Sequence, residues 1–182
     1  MRAFVARLRP VLSWLVRLQT VASVVALVVI CGLTLLAITA REAGTSVLWT
    51  EEVSLLMMKV VVFQGAAGIY ARRAYIVVGG LVSLFSPRLQ WLVSLLAWAF
   101  IGGFAALVAY QGLQTYPTQI AIRSYLLELP KFYFTVPLIV GAATICLTSV
   151  YYLLATLAAG APERGTEVDA HVPGLVGLGE AS

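Results

Sequence analysis

Between Arg17 and Arg41 lie 23 residues without a charge, Leu18 to Ala40. At about 1.5 Å per residue, a helix of that length exceeds the roughly 30 Å hydrocarbon core of a bilayer. The four arginines ahead of it (Arg2, Arg7, Arg9 and Arg17) resemble the start of a secretory signal. Signal peptides, however, have apolar cores of only about 7–15 residues. The stretch Ala37-Ile38-Thr39-Ala40 also offers no clean small-residue cleavage site. The run is therefore read as a retained membrane span. Only 11% of the chain is charged, whereas a soluble domain carries about 25%. Such a chain has too little charge to solvate a globular surface.

Three more apolar runs follow. The second extends from Val53 to Ala71, interrupted by Lys59 and ended by Arg72-Arg73. The third begins after Arg88 and stays uncharged until Arg123, longer than one crossing needs. It is expected to end near Tyr110. The stretch Gln111 to Lys131, with Pro117, Pro130 and the amides Gln111, Gln114 and Gln119, is read as an interfacial connection. Whether that connection lies flat as an amphipathic helix is left open. The fourth run reaches from Phe132 to about Ala159, with Pro137 in its first turns, where a missing N–H costs least. The expected fold class is an all-α integral membrane protein with four transmembrane helices, at about 18–40, 53–71, 89–110 and 132–159. These spans form a membrane domain, 1–160. Residues 161–182, small, polar and mostly acidic, form a flexible tail carrying the sole histidine, His171, read as solvated.

Orientation follows from the positive-inside rule. Arg2, Arg7, Arg9, Arg17, Arg72, Arg73, Arg88 and Arg164 fall on one side, and Arg41, Arg123 and Lys131 on the other. Both termini are expected in the cytoplasm. The net charge of +4 is spread over helix ends, which fits a membrane partner and not nucleic acid.

Many chemistries are excluded by what the spans lack. No span holds a histidine, so bis-histidine haem ligation is out. There is no HExxH, phosphate loop, nucleophile elbow or metal-spaced Cys/His cluster. Cys31 and Cys146 lie mid-run and read as small hydrophobes. The first span has no carboxylate of the kind a small drug exporter uses. Apart from Lys59, no ionisable residue falls deep in a span, whereas coupled carriers need intramembrane charges or broken helices. The chain therefore reads as an accessory membrane subunit without cofactor, neither an enzyme nor a complete carrier. Its rival is a non-transport four-helix assembly or signalling scaffold.

The polar residues that remain are concentrated around Trp49-Thr50-Glu51-Glu52-Val53. Glu51 and Glu52 suit the positive end of a helix macrodipole, and Thr50 is the expected N-cap. Lys59 follows Glu52 by seven residues, about 700° round the helix and about 10 Å along it. A lysine in hydrocarbon costs at least about 2.5 kcal/mol on insertion scales. It must either snorkel outward or find a partner. Small residues recur in three spans, at Gly65-Ala66-Ala67-Gly68, Gly102-Gly103 and Gly141-Ala142-Ala143, where helices can approach closely.

Three stretches together resemble the small permease (DctQ-type) subunit of tripartite ATP-independent periplasmic (TRAP) transporters. "WTEEV" is similar to that family's W-x-E-E opening of the second span. "GAAGIYARRAYIVVGGLVSLFSP" is similar to its glycine, basic cluster and interfacial segment. "SYLLELPKFYFTVPLIVG" is similar to its leucine-proline turn leading through aromatics into the fourth span. The likeness covers roughly residues 15–155, in order. Tyr75 and Gly79 depart from the usual His and Asp, while Arg72-Arg73 is retained.

The resemblance implies a bacterial inner-membrane subunit beside a large permease that carries the substrate and sodium sites. A periplasmic solute-binding protein delivers an organic acid, and an ion gradient drives symport. On this reading Trp49, Glu51, Glu52 and Lys59 form a structural or subunit-contact polar cluster, and Arg72 and Arg73 make cytoplasmic-loop contacts.

Overall fold

The computed structural model describes residues 2–45, 47–72 and 86–159. Arg73, Tyr75, Gly79, Arg164, His171 and the expected tail lie outside the described residues. The elements are α1 (Arg2–Glu42), α2 (Trp49–Ala71), α3 (Pro87–Gln114), α4 (Tyr116–Ala121), a 3-10 turn (Lys131–Phe134) and α5 (Val136–Ala159). Four of these helices, α1, α2, α3 and α5, are long and apolar enough to cross a membrane. The protein is an all-α, multi-pass membrane protein, with no strand among the described residues.

Three prolines stand at helix starts, where their missing N–H is harmless, while Pro10 lies inside α1. Pro87 and Pro117 open α3 and α4, and Pro137 is the second residue of α5. Ser86, ahead of Pro87, is extended (φ −62°, ψ 150°), as a pre-proline residue must be. Helix α3 runs four residues past Tyr110 because Gly112 still has a surface to pack on. A Cβ there would stand 2.7 Å from Ile139 Cγ1 on α5. Helix α1 likewise begins well before Leu18, with Pro10 and the arginine-rich segment in the same helix.

Helix α5 is the hub. It packs against α1, α2 and α3, while α1 and α2 pair as a hairpin, and α2 and α3 scarcely meet. Each close approach is made by a residue without a side chain. Gly68 faces Thr20 on α1, Gly102 faces Ser149 on α5, and Gly141 on α5 lies against the backbone of Phe63 on α2. With lipid on the outside there is no hydrophobic drive between helices, so such contacts and interhelical hydrogen bonds hold them together.

The central helix also carries most of the buried hydroxyls. Thr144, Ser149 and Thr156 donate to their own i−4 carbonyls, Val140, Ile145 and Tyr152. This leaves lone pairs to accept from neighbours. Gln19 Nε2 donates to Thr144 Oγ1 (2.6 Å), tying α1 to α5. Tyr70 and Ser149 hydroxyls meet at 2.6 Å, tying α2 to α5.

At the Arg72 end of the bundle the core turns aromatic. Tyr152 is fully buried among Leu12, Val16, Ala71, Trp98 and Tyr151. Its hydroxyl donates to the Ala71 carbonyl (2.6 Å), one of the last-turn carbonyls that α2 cannot satisfy itself. Trp98 stacks obliquely on Tyr152 at 4.9 Å, and Tyr70 meets Trp98 edge-on at 6.1 Å.

Candidate functional site

The Glu52 end of the bundle is built by two elements that are distant in sequence, the first turn of α2 and the connection between α3 and α5. After α4 the chain folds back on itself. Ser124 N–H donates to Leu129 O (2.7 Å) and Lys131 N–H to Ile122 O (2.9 Å), closing a narrow loop. Glu128 turns it with φ +52°, a left-handed conformation costly for a residue with a Cβ. The Arg123 guanidinium holds that turn by donating to the Glu128 carbonyl at 3.1 Å.

A loop so tight leaves consecutive amides pointing outward without partners of their own. Glu52 supplies them. Its Oε1 accepts from the backbone N–H of Tyr125 (3.0 Å) and Leu126 (3.1 Å), and its Oε2 from that of Leu127 (2.9 Å). The Ser124 side chain adjoins the same carboxylate. Charge-assisted bonds of this kind are the strongest a carboxylate makes with backbone. Glu52 therefore braces the α3–α5 connection onto α2. The loop tip projects beyond this brace, with Tyr125 96% exposed.

The other expected site residues separate around it. Glu51 is exposed, and Trp49 is 46% exposed on the outer turn. Thr50 is buried but is not the N-cap. Helix α2 starts at Trp49 after Leu48, and the Thr50 hydroxyl donates back to the Val47 carbonyl (2.6 Å). The chain ahead of α2 already turns helically at Leu48, so the capping position falls earlier than composition suggested. Lys59 is exposed, with Nζ 5.5 Å from the centroid of the Phe134 ring. Phe134 closes the 3-10 turn just before α5 begins, so Lys59 stands level with the interfacial connection. Arg72 follows the last residue of α2; its backbone N–H donates to Gly68 O (3.2 Å), and its Nε is buried with no hydrogen-bond partner among the described residues.

Two features of the site were not anticipated from sequence. One is the folded-back loop at 122–131, since Leu126, Leu127 and Glu128 carry no turn signature. The other is the pairing of a carboxylate on α2 with amides more than seventy residues away. Cys31 and Cys146 are both free thiols. Among the described residues no group of three or more His, Cys, Asp or Glu is placed to hold a metal.

Comparison with known families decides what this bundle is. The model of the DctQ component of tripartite ATP-independent periplasmic transporters matches residues 30–159. The chain belongs to this family. The match covers the C-terminal third of α1 and all of α2, α3, the braced connection and α5. No curated protein matches the chain. DctQ proteins are transporter components and not a class of enzyme, so this chain is a TRAP membrane component.

Proposed function

We propose that the protein is the small membrane subunit of a TRAP-type secondary transporter in the bacterial inner membrane. There it scaffolds a large permease during ion-gradient-driven uptake of an organic acid delivered by a periplasmic binding protein. The observation that carries this reading is the family match over residues 30–159, joined to a bundle whose helices are tied to one another by buried polar side chains. Gln19, Tyr70, Thr144 and Ser149 are engaged with one another across helices, which suits a rigid support and not a moving carrier.

On this reading, with the positive-inside orientation, both termini lie in the cytoplasm and the Glu52 end faces the periplasm. Trp49 and Glu51, exposed there, are proposed as contacts with the large permease or binding protein. Glu52 and Lys59 are proposed to hold the surface that those partners meet, and Arg72 and Arg73 to serve the cytoplasmic loop.

The test is a mild-detergent pull-down of the tagged chain from its native membrane, followed by uptake assays. A large permease in near-equal amount, with uptake lost when the chain is deleted, supports the proposal. Recovery of the chain alone, with uptake intact in the deletion, overturns it. Glu52→Gln and Lys59→Met variants that assemble and transport normally overturn the roles given to those residues.

A further inference from the structure

Because α2 and α3 both lean on α5 and scarcely touch each other, a cleft of about 660 Å³ opens between them. Its walls include Phe63, Ala66 and Ile69 on α2 and Phe104 and Val108 on α3, with Ala142 of α5 at its floor. That volume lies within the roughly 300–1,000 Å³ typical of ligand sites. Toward the Arg72 end the cleft is closed by Tyr70, whose edge meets Trp98. Toward the Glu52 end, Lys59 stands one turn beyond Phe63 on the same face of α2.

We infer that this cleft is a phospholipid site: one acyl chain lies between α2 and α3, and the anionic phosphate rests on Lys59. The inference rests on the bundle's position in a membrane and is independent of the transporter reading.

Three observations favour a lipid. The lysine is exposed, and what it meets within the chain is the neutral ring of Phe134, which leaves its charge without a counter-ion. Among the described residues no carboxylate pairs with it, since the Glu52 oxygens are taken by the loop amides. The rise from Lys59 to Tyr70 is about 16 Å at 1.5 Å per residue, a length that accommodates an acyl chain reaching down along the cleft from a phosphate at Lys59, since one leaflet's chains span about 15 Å.

The lining itself also argues against a partner helix. Helices associate in lipid through small residues that let backbones approach. Ala66, Ala105 and Ala142 line the cleft as well, but bulky Phe63, Ile69 and Phe104 stand among them and hold a second backbone off. The open glycine of α3, Gly103, with nothing within 4 Å of its Cβ position, is not part of the lining.

The experiment is native mass spectrometry of the full-length chain released from mild detergent, after equilibration with phosphatidylglycerol, phosphatidylcholine or an equimolar mixture. The wild type is expected to retain one phospholipid. Phosphatidylglycerol should be favoured about fivefold, equivalent to the roughly 1 kcal/mol that one lysine contributes near an anionic surface. Lys59→Gln should keep the lipid but lose the preference. Ala66→Phe fills the cleft from an exposed position and should lose the lipid altogether. Lys131→Gln, which removes an exposed charge elsewhere at the same end, should change neither.

Equal retention by wild type and Ala66→Phe overturns the site. A preference unaltered in Lys59→Gln overturns the role of the lysine. A photo-crosslinking residue placed at position 66 in native membranes gives an independent arm: a lipid adduct supports the inference, and a protein-sized adduct replaces the lipid with a partner helix.

Discussion

Among the described glycines, Gly141 is the one whose added Cβ would meet the backbone of another helix, and a single methyl group there tests the packing described above. An ideal Cβ at Gly141 stands 2.7 Å from the Phe63 carbonyl oxygen and 3.0 Å from both its carbonyl carbon and its Cβ. Contacts become ordinary only at 3.4 Å, so α2 and α5 must separate by about 0.7 Å or tilt apart. The obstacle is main chain, which no rotamer change can relieve. Overpacking of this kind costs about 1–3 kcal/mol. For a chain of this length each kcal/mol moves the melting temperature by about 2–4 °C. Gly141→Ala should therefore melt about 2–12 °C below wild type, followed by circular dichroism in mild detergent. Gly103→Ala, with nothing within 4 Å of its Cβ position, is the matched control and should be unchanged. If both variants melt like wild type, α5 does not sit on α2 as described. If both fall equally, the loss reflects glycine replacement in general and the argument from close approach fails.

Other positions give sharper single readings. Tyr152→Phe removes the donor to the Ala71 carbonyl (2.6 Å) and should cost about 1–3 kcal/mol, read by the same melts. Gln19→Leu deletes the bond to Thr144 but also an Oε1 that is buried without a partner. The two effects oppose each other, so its stability should stay within about 1 kcal/mol of wild type. Glu52→Gln should speed hydrogen exchange at the amides of Tyr125, Leu126 and Leu127, whereas Glu51→Gln should leave them as they are. Glu128→Gly relieves a φ of +52° and should be tolerated or mildly stabilising by up to about 1 kcal/mol, again by thermal melt.

The four spans were legible because uncharged runs of membrane length leave the chain few alternatives. Their ends were less so. Whether a helix stops at Tyr110 or Gln114 depends on Gly112 finding Ile139 on another helix, which no local pattern encodes. At the candidate site, "WTEEV" marked the right place, but composition could not divide its two carboxylates. Glu52 acquires its role from amides freed by a loop seventy residues on, while Glu51, its neighbour, points away. Lys59 read as deep when counted from Glu52. The structure sets its level by Phe134, because α2 rises past the start of α5 to reach the loop. Thr50 illustrates the same limit: a good N-capping residue stands two residues past the position where it would be used.

The position of α5 has a consequence for how the chain is made. The helix on which all the others lean is the last of the four spans to leave the ribosome. The α1–α2 hairpin has its partner at once, but α3 is finished about forty residues before the core of α5 exists. At roughly 5–20 residues per second this is an interval of about 2–8 s. During it, Gly102, Gly112 and Trp98 face lipid instead of Ser149, Ile139 and Tyr152. A nascent chain stalled in that window presents an unpaired helix to membrane proteases, so the moment of greatest exposure to quality control comes just before the bundle closes.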